Sequence, residues 1–244
     1  SAEEYSLISC LFRQRNLLWS NDCLLSSGSP DAWWSVLMIP RTLRKLIRSI
    51  RKDPDERRIR HPFDALPGNT EVKWVLDVGA HDGGVARAAL QSYPACKVIC
   101  FEPVKSTFDS LRKNLDPYKD RVYLYNEALS DRGGIGEIHL TNFNGANSIE
   151  PQAPFHKLFN PHIREEGKEK ITLVRLDDTS ATFPTREIDI MKIDVEGHEV
   201  NVLKGGATFI RSHVGTIIIE IALMRDQSLE NQSIFEIFAT LRSY

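Results

Sequence analysis

Residues 72–84 read VKWVLDVGAHDGG, and the reading of this stretch decides the fold. Val72 to Val78 is an apolar run too short for a helix and bounded by turn residues, which predicts a buried β-strand. Gly79, Gly83 and Gly84 then crowd into a turn, and GVARAALQSY (84–93) has the small and apolar residues of a helix. A strand, a glycine-rich turn and a helix in that order are the opening unit of an α/β sheet.

The alternation continues outward. KVICFEP (97–103) predicts a second strand stopped by Pro103, and KSTFDSLRKNL (105–115) an amphipathic helix with Phe108, Leu111 and Leu115 inward. RVYLYNEAL (121–129) predicts a third strand. GGIGEIHLT (133–141) and EKITLVRLDD (169–178) alternate and are joined by a long polar loop. EIDIMKID (187–194) and VGTIIIEIAL (214–223) predict two more strands, and SIFEIFATLRSY (233–244) a helix. Together these predict an α/β fold with a doubly wound, mostly parallel sheet over residues 71–244.

The chain has 244 residues, 41% hydrophobic and 26% charged, an ordinary globular composition. Its formal net charge of −2 points to no class of partner. The charge is uneven, because residues 41–60 carry nine Lys/Arg against three Asp/Glu. There Leu43, Leu46, Ile47 and Ile50 recur at helical spacing, with Arg41, Arg44, Lys45, Arg48 and Arg51 mostly off that face. Residues 1–70 therefore predict a mainly helical extension. Its basic amphipathic helix, 41–52, either docks on the main domain or meets an anionic partner such as RNA, a lipid surface or an acidic carrier. No apolar run approaches the roughly 20 residues that span a bilayer, and SAEEYSLISC is unlike a signal peptide. Four cysteines without CxxC spacing, one of them, Cys100, in an apolar run, fit free thiols and a cytoplasmic setting.

In open α/β sheets the ligand lies beyond the carboxyl ends of the strands, where the strand order reverses. The residues expected there are Asp77-Val78-Gly79, Glu102, Asn126-Glu127, Asp194 and Glu220, nearly all polar or glycine. A dinucleotide site wants G-x-G-x-x-G. Here the spacing is G-x-x-x-G with His81 at the place of the middle glycine, which argues against a nicotinamide dehydrogenase. Asp77 beside the turn would repel a pyrophosphate but hold an ammonium group. Glu102, 25 residues further on, is where an acid accepts hydrogen bonds from a ribose. S-adenosylmethionine satisfies both ends. Asn126, Glu127 and Ala128 end the third strand, either at the adenine edge or as an ordinary turn.

KIDVEGHE (192–199) places Asp194, Glu196, His198 and Glu199 around Gly197, directly after a buried strand. Three readings stay open. His198, opening a helix whose N-terminus disfavours its charged form, is a general base oriented by Glu196 or Glu199. Alternatively, Asp194, Glu196 and His198 hold a divalent metal. In the third, the group is a polar helix start and no more.

VLDVGAHDG, CFEP, NEALSD, VRLDD, DIMKIDVEGHEVNVLKGG and IIIEI, in this order from about Val75 to Ile221, resemble the FkbM family of class I S-adenosylmethionine-dependent methyltransferases. The resemblance implies a Rossmann-like fold and methylation of a hydroxyl on a sugar, another small molecule or a carrier-bound substrate. On these residues the expected cofactor set is Asp77, Gly79, His81, Gly83, Glu102, Asn126, Ala128 and Asp194. His198 and Glu196 are the expected catalytic residues, and no metal is assigned. The family's turn is DVGAN-x-G, so His81 stands where it has Asn. Such sheets end in an antiparallel hairpin, expected here to be absent or compensated by residues 1–70. The loop from Asn144 to Glu169, with Phe155, His156, Phe159, His162 and Arg164, is the candidate for substrate recognition. The alternatives are a metal-dependent O-methyltransferase, or a non-catalytic module docking an anionic partner through residues 41–60.

Overall fold

The computed structural model describes residues 9–13, 71–142, 144–150, 162–220 and 232–244. The basic helix expected at 41–52 lies outside them, as do Phe155, His156 and Phe159. Within them the chain forms β1 (Ser9–Arg13), β2 (Trp74–Val78), α1 (Gly84–Ser92), β3 (Lys97–Phe101), α2 (Lys105–Leu115) and β4 (Val122–Tyr125). There follow β5 (Ala128–Leu129), β6 (Gly134–Thr141), β7 (Glu165–Val174), α3 (Leu176–Thr179), β8 (Ile188–Ile193), α4 (Glu199–Gly205), α5 (Ala207–His213), β9 (Val214–Glu220) and α6 (Gln232–Arg242).

The apolar runs become the sheet. Its order is β1-β9-β8-β2-β3-β4, with β9, β8, β2, β3 and β4 mutually parallel. Each strand presents alternate residues to opposite faces. Val75, Val98, Cys100 and Ile190 meet Ala86, Ala89 and Leu90 of α1 and Leu111 and Leu115 of α2. Leu76, Val78, Ile99, Phe101, Met191 and Ile193 meet Val202 and Leu203 of α4, Phe209 and Ile210 of α5, and Ile237 and Leu241 of α6. Both faces are covered, which is why these strands read as nearly continuous apolar runs. The doubly wound, mostly parallel sheet expected from the sequence is the one observed. The chain leaves β2 toward β3 on one side and reaches β8 on the other, so strand order reverses between β2 and β8.

Two features depart from the sequence expectation. The third strand, predicted as 121–129, is split: β4 stays in the main sheet, while β5 joins a three-stranded sheet of order β5-β7-β6. Asn126 makes the break, its Nδ2 donating to the carbonyls of Glu102 and Pro103, each at 2.9 Å. Those side-chain bonds bend the chain away from the β3 edge. Second, residues 9–13, assigned by sequence to a helical extension, add β1 to the main sheet antiparallel to β9. A five-residue strand paired with Thr216–Glu220 depends on a contact across most of the chain, which no local pattern in residues 1–15 signals.

Candidate functional site

The strand-to-helix turn at the switch point is built from main-chain geometry. Gly79 takes φ 77°, and a Cβ there would lie 1.9 Å from the carbonyl oxygen of Asp194. Only glycine lets the ends of β2 and β8 approach this closely. Gly79 and Ala80 both donate to the carbonyl of Phe101, at 3.0 and 2.9 Å. Gly83, at φ 87°, does not line the pocket; a Cβ there would lie 2.8 Å from Leu111, so this glycine lets α1 pack on α2.

Among the described residues His81 is one of two non-glycine residues with positive φ, at 52°; the other is Glu196, at 56°. Both line the same pocket, and strained backbone concentrates at such sites. Asparagine adopts the left-handed region more readily than most residues, which accounts for the Asn of the resembling turns. The work of position 81 is in its main chain: its N–H donates to Glu102 Oε2 at 3.0 Å, while the imidazole is half-exposed beside Asp82.

Glu102 is buried at the end of β3, with Oε1 accepting the Val104 N–H at 3.0 Å. Burial pushes its pKa up to about 7, against the two main-chain donors, which lower it. Each oxygen retains a lone pair for a ligand.

Beneath the turn lies an ion cluster. In the strand register Asp77 is opposite Lys192, and the Lys192 Nζ sits 3.2 Å from Asp77 Oδ1 and 3.4 Å from Asp194 Oδ2. It also donates to the Gly79 carbonyl at 2.8 Å. Burial opposes the ammonium, but the carboxylates of Asp77 and Asp194 outweigh it and hold Lys192 charged. Burial raises Asp77 above its ordinary value in spite of that ammonium. Asp77 is fully buried on the α1 and α2 face and does not line the pocket; it reaches the site only through Lys192. Burial, with Asp194 adding to it, likewise lifts Glu220 to about 7 at the end of β9.

The pocket at the strand ends is a cavity of about 280 Å³. One wall is Gly79, His81, Glu102, Lys192 and Asp194, and Glu127 and Ala128 line it beyond the β4–β5 break. Asn126 stays behind that wall, fastening the backbone of Glu102 and Pro103. The opposite wall is Ile138 of β6 with Gly145, Asn147 and Ile149 of the strap, residues 144–150. The strap is tied to β6 by reciprocal main-chain bonds between His139 and Ser148, at 2.8 and 3.2 Å. It is tied to the β8–α4 turn by Ser148 Oγ, which donates to the Glu196 carbonyl at 2.6 Å.

His198 completes the pocket from that turn and is 3% exposed. Its Nδ1 is 3.1 Å from Glu150 Oε1, and its Nε2 is 3.0 Å from Ser130 Oγ. The carboxylate on the imidazole is thus Glu150, 48 residues away, rather than the neighbouring Glu196 or Glu199. Glu199 serves the turn itself, Oε1 accepting the Gly197 N–H at 3.0 Å. The left-handed backbone of Glu196 presents its carbonyl to the strap. Sequence reasoning missed Glu150, which lies in no quoted motif, and gave Ser130 no role although it lies in NEALSD (126–131).

Of the expected site residues, the structure brings Gly79, His81, Glu102, Ala128, Asp194, Glu196 and His198 to one pocket, and sets Asp77, Gly83 and Asn126 behind it. The expected recognition loop is shorter than the sequence suggested, because Glu165 to Glu169 already belong to β7. Among the described residues no group of three His, Cys, Asp or Glu could hold a metal ion, and no helix is long and apolar enough to cross a membrane.

A family pattern described as a methyltransferase FkbM domain matches residues 77–244. The chain is 30% identical over 178 residues to the 2-O-methyltransferase NoeI of Sinorhizobium fredii, spanning 70% of this chain and 72% of that one. It is 32% identical over 151 residues to the hexuronic acid methyltransferase AglP of Haloferax volcanii, spanning 62% of this chain and 56% of that one. A crystal structure of methyltransferase FkbM from Methylobacillus flagellatus aligns over 71% of this chain and 37% of that one, with a TM-score of 0.47 at 18% identity.

Proposed function

The chain belongs to the FkbM methyltransferase family, and on that premise we propose that its pocket binds S-adenosylmethionine and directs its methyl group to a hydroxyl of a small molecule, a sugar or a carrier-bound acceptor. The observation that carries this reading is Glu102: a buried carboxylate at the β3 end, fixed by two main-chain donors, with acceptor capacity left toward the cavity. That is the chemistry a ribose diol needs. Gly79 and His81 supply the close main-chain wall, Glu127 and Ala128 flank the adenine, and Asp194 balances the ammonium of the methionine end. Asp77 contributes by holding Lys192, and Gly83 and Asn126 by keeping the turn and Glu102 in position.

When bound, the cofactor supplies an electrophilic methyl on a sulfonium. What remains for the protein is to align the acceptor oxygen and take its proton. His198 is the proposed base. With its proton on Nδ1 toward Glu150, Nε2 presents a lone pair. The Ser130 hydroxyl now beside Nε2 has a second acceptor, Asp131 Oδ1 at 3.2 Å, so it can yield that lone pair to the acceptor hydroxyl. The pocket-lining Glu196 sits on the same turn and supports the developing positive charge. Oxygen as the receiving atom is supported by the name of NoeI, a 2-O-methyltransferase.

Calorimetry with S-adenosylhomocysteine tests the proposal. Binding is expected in the wild type and is lost by about 100-fold or more in Glu102→Ala, which forfeits two charge-assisted bonds. The Glu102 pKa of about 7 adds a sign. The carboxylate is the better acceptor, so affinity strengthens as pH rises through about 7 and this dependence flattens in Glu102→Gln. No heat with either S-adenosylmethionine or S-adenosylhomocysteine would overturn the reading.

A further inference from the structure

We propose that Glu150 is the positioning residue of the site: it holds His198 in the tautomer with the proton on Nδ1, and so makes the base competent only while the strap 144–150 is seated over the pocket. The inference rests on His198 being the base, and it assigns that residue's partner and the segment that controls it.

His198 has two ring nitrogens and two neighbours of different chemistry. An ionised carboxylate accepts hydrogen bonds and cannot donate them, whereas a serine hydroxyl does either. Glu150 Oε1 at 3.1 Å from Nδ1 therefore fixes a proton on Nδ1, and Ser130 at 3.0 Å from Nε2 adapts. Glu150 is ionised near neutral pH: its hydrogen bond to His198 lowers its pKa, burial opposing. Arg132 and His139 face the same carboxylate and also favour its charged form. On the other side of the ring, Asp131 lies next to Ser130 and is itself held low, with Asn201, Ser130, Arg132 and His198 outweighing its burial. The imidazole thus sits between two anionic sides, one in direct contact and one through a hydroxyl. The direct contact comes from the strap and from nowhere else on the turn.

The seating of the strap is separable from the base. Ser148 Oγ holds the strap on the Glu196 carbonyl and also accepts the Glu150 N–H at 3.1 Å, so one hydroxyl sets the backbone from which Glu150 reaches His198. In the transfer, the acceptor oxygen forms its bond to the methyl carbon as the carbon–sulfur bond breaks, and the electron pair of that bond stays on sulfur. The acceptor proton goes to Nε2 of His198, and the Nδ1 proton remains on Glu150's side of the ring throughout. Lifting the strap removes Glu150 and lets the neutral ring exchange to the tautomer with its proton on Nε2, which has no lone pair for the acceptor there.

The tautomer can be read without knowing the acceptor. In full-length protein labelled with ¹⁵N and saturated with S-adenosylhomocysteine, the ring nitrogen shifts of His198 are measured at a pH where the ring is neutral. The expected wild-type signature is a protonated Nδ1 and an unprotonated Nε2. Glu150→Gln retains an acceptor and keeps it, whereas Glu150→Ala shifts the population toward a protonated Nε2 by at least several-fold. Calorimetry on the same samples is expected to keep the S-adenosylhomocysteine affinity of Glu150→Ala within about 3-fold of wild type, since Glu150 does not line the cofactor wall. A protonated Nε2 in the wild type, or an unchanged tautomer in Glu150→Ala, overturns the proposal while leaving cofactor binding intact. Loss of binding in the wild type instead sinks the functional reading beneath it. If Glu150→Ala does not fold, Ser148→Ala moves the strap without touching the ring and must produce the same shift.

Discussion

On the strand-end side of the pocket, Gly79, Glu102 and Lys192 are fixed by buried main-chain contacts and by largely buried charges. On the opposite side, the strap is fastened by a few bonds, one of them to the carboxylate of Glu150, whose side chain is 52% exposed. The first wall has no alternative arrangement at low cost, because its main-chain bonds and the buried Lys192–Asp77 ion pair would have to break together. To lift, the second must break its two main-chain bonds to His139 and the side-chain bonds of Asn147 to Thr141, Ser148 to Glu196 and Glu150 to His198. A methyltransferase needs both: a preorganised cradle for a charged cofactor, and an opening through which the acceptor enters and leaves.

The largest effect should come from putting a Cβ into the rigid wall. Gly79→Ala requires a methyl group 1.9 Å from the Asp194 carbonyl oxygen at a φ of 77°. The ends of β2 and β8 must part, and the expected loss is about 4 kcal/mol or more. Urea unfolding measures it as a drop in the midpoint. An unchanged midpoint would mean that the switch point is softer than its geometry implies.

Next in size is Lys192→Met. It leaves Asp77 buried without its counter-ion and Asp194 without its neighbour, at a cost of roughly 3–5 kcal/mol. Asp77 is raised already by burial, and losing the ammonium raises it further. A carboxyl whose folded-state pKa exceeds its unfolded value destabilises the fold increasingly as pH rises above that unfolded value. The deficit of Lys192→Met should therefore widen from acid to neutral pH, and the double variant with Asp77→Leu should be more stable than the single. A double variant no better than Lys192→Met would show that Asp194, not Asp77, is the partner that matters.

How much of this was legible in the sequence follows the same division. The rigid wall is made by strands, and strands announce themselves as apolar runs with polar ends. WVLDV, KVICF and IDIMKI gave β2, β3 and β8 almost to the residue, and the carboxyl-end rule then picked out Gly79, Glu102 and Asp194. The pairing of Asp77 with Lys192 depends on which strands are neighbours and in what register, which the apolar runs do not state. The strap wall was legible only as part of the loop 144–169, without the contacts its residues make. Glu150 and Ser130 reach His198 across 48 and 68 residues, from a loop and a strand end with no periodicity to read. Proximity along the chain favoured Glu196 and Glu199, but Glu199 accepts the Gly197 N–H and the left-handed turn at Glu196 presents its carbonyl to Ser148, while the carboxylate on the imidazole is Glu150. The N-terminal strand was missed for a related reason: its partner is β9, at the far end of the domain.

The smallest effect belongs to the strap, and it separates the two walls most cleanly. Ser148 is 2% exposed, donates to Glu196 at 2.6 Å and accepts from Glu150 at 3.1 Å. Ser148→Ala removes both bonds and leaves a buried carbonyl and a main-chain N–H to find other partners, costing roughly 1–2 kcal/mol. If the strap is an independently opening unit, that cost appears locally and the global midpoint barely moves. Amide hydrogen exchange then reports faster exchange at Ser148 and His139, whose N–H groups bridge strap and β6, with no change at Gly79, Asp194 or the amides of β2 and β8. Equal acceleration everywhere would mean that strap and wall open together, so that the pocket admits its acceptor only by loosening the cofactor cradle as well. Unaltered exchange at Ser148 would mean that the main-chain bridge to His139 and the Asn147 bonds to Thr141 keep the strap seated, and that the Glu196 contact aims Glu150 without holding the segment down.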